Sequence, residues 1–361
     1  MKRISSTRSG ANKQLFSLNL IRAVAIIMVL LHHSLRDDLS EDFKYLLDLV
    51  LDADALLFFM ISGALLMPVK GSWSEFIRRR AVKVFVPFVI WTLIYALSYY
   101  SDGWINDYTL AMQIRWSWLS FNFWPGWFIP TLISLYLIMP LLSPWIATAT
   151  RKQFHYVLIL WLLSSVLPYL QPIAGFDLRY TPLTLMLNAV PYAIIGYYLT
   201  YYRNRQPLLP SYVVQEPVDG LTMSEARRHA RRIRLVVMYA MMIVAGVVLP
   251  FVLRDSFEQV DVRSISHEWT ATPGVVLSIF YFSLLVRVKT LGVIVDKVVN
   301  IVSRYSFGIY LSHSLFLTVL FPRFIPEIMD STPLLFIMVF ASSFALTYLL
   351  RKIPFLGRYI G

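Results

Sequence analysis

The stretch "LNLIRAVAIIMVLLHHSL", residues Leu18–Leu35, is nearly all apolar, yet it carries an arginine four residues in and two histidines near its end. An apolar run of this length reads as a membrane-spanning helix. A charge at the centre of such a helix costs roughly 2.5–3.5 kcal/mol on insertion scales, and such residues usually face a bundle interior or a water-filled cavity. A helix turns about 100° and rises about 1.5 Å per residue, so Arg22 and His33, eleven steps apart, lie on one face roughly 16 Å apart along the axis. His32 points some 80° off that face. Helix geometry therefore selects His33 as the companion of Arg22. The competing reading is that Arg22 snorkels to the nearer interface.

Outward from this stretch the pattern repeats. The chain has 361 residues, 57% hydrophobic and only 15% charged, against about 25% charged in an average soluble domain. Ten spans are read: Leu15–Leu35, Ala53–Val69, Val84–Tyr100, Trp127–Ile146, Phe154–Leu170, Leu183–Tyr202, Leu235–Leu253, Pro273–Val288, Ser306–Phe321 and Leu334–Leu350. The expectation is an all-α, polytopic integral membrane protein, a bundle of ten transmembrane helices forming one domain over residues 1–361. Residues 14–201 hold the first six helices, 202–234 a basic cytoplasmic loop and 235–351 the last four.

Charge sets the expected orientation. With the N-terminus inside, 25 of the 33 Lys and Arg fall on inner segments or span ends and 7 on outer ones, Arg22 alone lying well inside a span. The acidic residues run the other way, 16 outside and 5 inside. This positive-inside bias puts both termini in the cytoplasm. The net charge of +12 is thus a topology signal with lipid headgroups as its default partner, not a sign of nucleic acid. The N-terminal "MKRISSTRSGANKQ" and the run after it lack a small-residue cleavage site and read as a retained first span. There are no cysteines, which excludes disulfides, thiolate metal sites and a cysteine nucleophile.

Three loops are long. The outer one from Ser101 to Gly126 is Trp-rich and suits the membrane interface. The inner one from Arg203 to Arg234 contains "LTMSEARRHARRIRL", where Thr222 and Glu225 have capping-box spacing, and its five arginines suit a short helix on anionic headgroups. The outer loop from Arg254 to Thr272 holds His267 and Glu268. Pro87, Pro168 and Pro191 fall in or beside spans, where neighbouring helices can satisfy the freed carbonyls.

Arg22, ten intervening residues and His33 resemble the R-x10-H signature of the membrane-bound acyltransferase-3 family. Further segments resemble it in order: "LLFFMISGALL" (Leu56–Leu66), "FIRRRAVKVFVPF" (Phe76–Phe88), "WFIPTLISLYLIMPLL" (Trp127–Leu142) and "IVSRYSFGIYLSH" (Ile301–His313). The ten-helix count agrees with the resemblance. Within the family, the chain's length and lack of an attached esterase-like domain resemble the enterobacterial common antigen O-acetyltransferase branch. One departure is visible: the basic motif, often R-x-x-R in the family, is here Arg80 followed by Lys83. Lysine cannot make arginine's bidentate fork.

The resemblance implies acyl transfer from cytoplasmic acyl-coenzyme A, acetyl before succinyl, to a sugar hydroxyl at the outer face of a bacterial inner membrane. An alcohol is a poor nucleophile at neutral pH, and a histidine is the natural general base. Alternatively, His33 carries the acyl group covalently. Arg22 would bind donor phosphate or the thioester end, or steady the developing negative charge. Arg78, Arg79, Arg80 and Lys83 are candidate donor contacts or mere topology determinants. Trp127 either covers the donor or anchors at the interface. Ser306, Tyr310 and His313 line one helix face as a supporting polar stripe, read first as an interhelical hydrogen-bond network. Ser62 and Gly63 would allow close helix packing. His267 and Glu268 are candidate acceptor-side residues, and His155 and His229 look like ordinary solvated or interfacial ones. No metal site is expected. G-x-S-x-G, H-E-x-x-H, Walker A and G-x-G-x-x-G are absent, so a serine hydrolase, zinc protease, ATPase or nicotinamide enzyme has no support. The alternative function is a transporter or flippase of a lipid-linked sugar, which predicts an inverted repeat or paired broken helices.

Overall fold

A computed structural model of the chain describes residues 2–101, 103, 105–116, 127–174, 183, 186–202, 223–256, 261–266 and 270–354. All regular structure among these residues is helical. In chain order the helices are α1 (Lys2–Ser34), α2 (Glu41–Leu51), α3 (Leu56–Leu66), α4 (Trp73–Arg80), α5 (Val86–Ser101), α6 (Asp107–Trp116), α7 (Phe128–Thr148), α8 (Arg151–Ser164) and α9 (Leu167–Ala174). They continue as α10 (Ala189–Tyr197), α11 (Met223–Ile243), α12 (Leu249–Leu253), α13 (Val262–Ser266), α14 (Thr272–Leu285), α15 (Val293–Leu315), α16 (Phe321–Phe324) and α17 (Thr332–Lys352). Single π-helical turns at Ala81–Phe85, Val244–Val248 and Phe316–Leu320 join α4 to α5, α11 to α12 and α15 to α16, and a fourth, Tyr198–Tyr202, extends α10.

Eight helical stretches are long and apolar enough to cross a membrane, and they overlap eight of the ten expected spans. The other two expected spans are shorter helices: α14, of 14 residues, and α10, of nine residues plus its π turn. Three elements begin well before their expected starts; the third expected span runs from Trp73 rather than from Val84. The second runs from Glu41 to Leu66 rather than from Ala53, and the ninth from Val293 rather than from Ser306. Charged residues in the N-terminal parts of these elements (Glu41, Asp42 and Asp48; Arg78, Arg79 and Arg80; Asp296, Lys297 and Arg304) keep those segments from reading as continuous apolar runs although the backbone is helical.

The second stretch is not one unbroken helix. Turns at 52–55 separate α2 from α3, and both acidic residues in the break, Asp52 and Asp54, are buried. Non-helical backbone inside a membrane segment is tolerated where it is enclosed by protein or lines a cavity. Asp54 satisfies part of the break itself, its side chain accepting from the Ala55 N–H.

Two interfaces organise the bundle. α3 and α10 meet at backbone contact: a Cβ on Gly63 would sit 1.9 Å from the Ala193 carbonyl oxygen, and one on Gly196 would sit 2.1 Å from that of Met60. Only glycine fits there, so Gly63 packs helices as expected from the small-residue rule. α1 and α15 run parallel, because Asn19 Nδ2 donates to Asn300 Oδ1 (2.9 Å) near one end and His33 meets His313 near the other. α17 then closes on α15, where Thr347 Cγ2 occupies the space a Cβ on Gly308 would take. α1, α3 and α15 are therefore central, whereas none of the described side chains of α11 (Met223–Ile243) is buried.

Candidate active site

A cavity of about 400 Å³ opens between α1, α3, α7, α15 and the α4–α5 junction. At one end its wall carries five cations, Arg22, Arg80, Lys83, Arg304 and Arg351, and no carboxylate is found among the described lining residues. Each cation comes from a different helix or turn: Arg22 from α1, Arg80 from the end of α4, Lys83 from the π turn, Arg304 from α15 and Arg351 from α17. Such a concentration of one sign in a partly enclosed space attracts an anion and holds it against the low-dielectric walls.

Tyr136 of α7 anchors the cationic end. Its hydroxyl lies 3.4 Å from Ser62 Oγ and faces the guanidiniums of both Arg22 and Arg80. The Arg80 guanidinium also lies over the rings of Phe76 and Tyr136, at 5.8 and 6.0 Å. Its Nε is buried without a hydrogen-bond partner. Lys83, the departure in the basic motif, is exposed at the cavity rim, where a point charge suffices and a fork is not required.

The opposite part of the wall is aromatic, formed by Phe58, Phe128, Phe307 and Tyr310. Phe128 and Tyr310 pack with ring centroids 4.9 Å apart, and Tyr310 lies 5.5 Å from the ring of His313. Beyond it His33 and His313 meet edge to edge in nearly one plane, with centroids 5.2 Å apart, planes within 5° and His33 Nδ1 3.1 Å from His313 Nε2. The cavity thus runs from a cationic mouth to the edge of a histidine pair.

Hydrogen bonding orders that pair. His313 Nδ1 lies 2.5 Å from the backbone carbonyl oxygen of Tyr310. A carbonyl can only accept, so Nδ1 of His313 carries its proton. With both rings neutral, His313 Nε2 is then an acceptor and His33 Nδ1 the donor. This leaves the lone pair of His33 on Nε2. A histidine held in one tautomer by a second group is the arrangement that general-base catalysis needs.

A family model described as an acyltransferase domain matches residues 15–352. The chain belongs to the acyltransferase-3 family. No curated protein matches it, and no solved structure does. The family assignment and the apolar helices make the protein a membrane acyltransferase. The match covers every element of the cavity and both histidines of the pair.

Within this acyltransferase, Arg22 and His33 occupy different stations along α1: Arg22 lines the cationic cavity and His33 meets His313. Ser306 and Tyr310 of the polar stripe line the cavity, and His313 continues it to His33. Of the basic motif, Arg80 and Lys83 face the cavity. Arg79 pairs with Glu75 and lines a second cavity of about 450 Å³ beside Lys70, and Arg78 is exposed outside both. Trp127 packs edge-on against Phe59 and Phe128, and it is Phe128 that reaches the cavity wall. Ser62 lines the cavity as well as packing beside Gly63. His155 is not simply solvated, since its Nε2 is 2.9 Å from the Tyr198 hydroxyl. His267, Glu268, Thr222 and the His229 side chain lie outside the described residues. Among the described residues no group of three or more His, Asp or Glu could hold a metal ion.

Three features escaped the sequence reading. Tyr136 is marked only as part of the Trp127–Leu142 segment, which assigns it no role. Arg304 and Arg351 read as ordinary ends of spans. The third feature surrounds His32, which turns away from the cavity to meet Asp54 (Nδ1 to Oδ2, 3.0 Å) and Asp48 (Nε2 to Oδ1, 3.7 Å). The acidic pair in "LDADALLFF" was the available signal, two carboxylates at the edge of an apolar run.

Proposed function

We propose that this acyltransferase moves an acyl group, acetyl in the first instance, from cytoplasmic acyl-coenzyme A to a hydroxyl of a cell-surface polysaccharide or its lipid-linked precursor. Its setting is the bacterial inner membrane, with ten spans and both termini in the cytoplasm, as in the enterobacterial common antigen O-acetyltransferase branch. The observation that carries the reading is a cavity walled by five cations whose aromatic side, through Tyr310, adjoins the His33–His313 pair. A polyanionic donor suits the cationic mouth. A thioester arm suits the aromatic passage beyond it.

The transfer is written as follows. The acceptor hydroxyl oxygen attacks the thioester carbonyl carbon while its proton passes to His33 Nε2. The tetrahedral intermediate collapses, the carbon–sulfur bond breaks, and the coenzyme A thiolate takes the proton back from His33. Arg22 lies on the cavity wall nearer the donor and would hold its phosphate or thioester end. No metal is required in this step.

The test uses purified protein with labelled acetyl-coenzyme A and membrane lipids of the producing cells. Label should enter a glycan or glycolipid with the wild type and not with His33→Ala, provided the variant still elutes as a folded species. A His33→Ala protein that still delivers the acyl group would remove the proposed base. A transporter without acyl transfer would neither consume nor bind the labelled donor. It would also need paired broken helices, and the break at 52–55 has no described counterpart in the second half of the chain that carries buried carboxylates.

A further inference from the structure

The proposed transfer accounts for every proton through His33 alone. It leaves unexplained the four ionisable groups gathered on the other side of α1. Asp52 and Asp54 lie in the break between α2 and α3, Asp48 lies one turn earlier, and His32 reaches into them from α1. His32 also stacks on His33, with ring centroids 5.8 Å apart. The cluster therefore adjoins the reacting histidine directly.

Two of its members are satisfied and one is not. Asp54 is engaged through both oxygens, Oδ2 by His32 and Oδ1 by the Ala55 N–H. Asp52 is only 7% exposed and faces His32, Asp54 and Asp48, yet its Oδ2 is buried without a hydrogen-bond partner. A buried carboxylate oxygen left unpaired is costly, and the usual resolution is a ligand or water that donates to it. His32 and Asp48 are about a quarter exposed (25% and 23%), so the cluster opens outward through them.

We propose that Asp52 and Asp48, braced by His32 and Asp54, form the acceptor subsite of this acyltransferase and bind hydroxyl groups of an uncharged sugar beside the one being acylated. The assignment rests on the transfer reading above for its name as an acceptor site, but not for its binding chemistry. Carboxylates accept from hydroxyls and offer two oxygens in one plane to a pair of neighbouring O–H groups. A carboxylated sugar would meet like charge there and be disfavoured. The two ends of α1 then sort substrates by chemistry: cations for an anionic donor, carboxylates for a hydroxyl-rich acceptor.

The experiment is a thermal-shift titration of the purified full chain in detergent, without any donor, using methyl α-glucoside and methyl α-glucuronide as probes. Wild type is expected to be stabilised saturably by the glucoside and at least tenfold less effectively by the glucuronide. Asp52→Asn and Asp48→Asn should each weaken the glucoside response at least tenfold while leaving the shift produced by acetyl-coenzyme A unchanged. Asp48→Asn, at the rim, serves where Asp52→Asn does not fold. No glucoside response in wild type, or an equal one in a folded Asp48→Asn protein, overturns the proposal. Failure of the donor reading would show separately, as no shift of wild type by acetyl-coenzyme A, and would leave the sugar arm intact.

Discussion

Replacing His313 by phenylalanine tests the hydrogen-bond chain from which the base is inferred. Phe keeps an aromatic ring beside His33, where the two imidazoles now meet edge to edge with centroids 5.2 Å apart, so most of the buried side-chain volume is preserved. What it removes is the acceptor for His33 Nδ1–H, 3.1 Å away. An unmade hydrogen bond at a buried donor costs about 1–3 kcal/mol. The His33 tautomer with its proton on Nδ1 loses that much relative to the one with its proton on Nε2. At 1.36 kcal/mol per tenfold, the ratio of productive to unproductive tautomer falls roughly 5- to 150-fold, and kcat falls by up to that factor. The KM for acetyl-coenzyme A should not move, because the cationic mouth is untouched.

The assay is thiol release from acetyl-coenzyme A by reconstituted protein with lipids of the producing cells, after checking that the variant is monodisperse. His313→Gln, whose side-chain carbonyl can accept from Nδ1–H, should recover part of the loss. A folded His313→Phe protein with wild-type kcat refutes the tautomer argument. So does a variant whose whole defect lies in donor KM, since a merely structural role for His313 would disturb the cavity instead.

Tyr136→Phe removes the hydroxyl facing Arg22 and Arg80; at about 1 kcal/mol for the lost interaction, acetyl-coenzyme A KM should rise roughly fivefold with kcat nearly unchanged in the same assay. Gly196→Ala would put a Cβ 2.1 Å from the Met60 carbonyl oxygen, with backbone on both sides. Overpacking of about 1–3 kcal/mol should lower Tm by roughly 2–10 °C, read by thermal unfolding in detergent. Thr332 ties α17 to the end of α1: its N–H and hydroxyl both donate to Asp38, and its hydroxyl accepts from the Arg36 N–H. Those donors hold the Asp38 carboxyl below its usual range, so the stabilisation is full above the ordinary carboxylate value of about 3.9 and fades as pH falls through the lowered one. The Tm deficit of Thr332→Val should accordingly be constant near neutrality and shrink, without vanishing, in strong acid.

How much of this was legible in the sequence follows from what each kind of residue reports. Hydropathy finds a helix whose apolar run is unbroken, which is why α7, α17 and the C-terminal end of α1 fall within a few residues of their expected bounds. It fails where charges occupy the first turns of a helix, and so it cut α2 away from α3 and shortened α15. The acid pair at Asp52 and Asp54 looked like a loop end because nothing local distinguishes a carboxylate leaving the bilayer from one turned inward at a helix break. Arg22 was legible for the opposite reason: seven residues of apolar sequence on its N-terminal side left it no cheap loop to belong to.

Pairings between helices lie beyond single-helix geometry. The wheel puts Arg22 and His33 along one side of α1, but a common side is not a contact: Arg22 lines the cavity and His33 meets His313. Their partners come from elsewhere in the chain. His33 finds His313, 280 residues away, and Asn19, one turn before Arg22, finds Asn300. Both partners lie on α15, in the same order as on α1. That parallel alignment gives the Arg22–His33 spacing its chemical meaning, because one neighbouring helix supplies both the Ser306 and Tyr310 wall beside the cationic mouth and the imidazole that fixes the base. An antiparallel neighbour would have brought His313 to the Arg22 end and left His33 without a group to set its tautomer. In the proposed transfer the Arg22–His33 spacing is thus half of a device whose other half is the Ser306–His313 segment of α15. His33→Ala and His313→Phe should therefore be non-additive in kcat: once His33 is gone, losing His313 as well should cost little more.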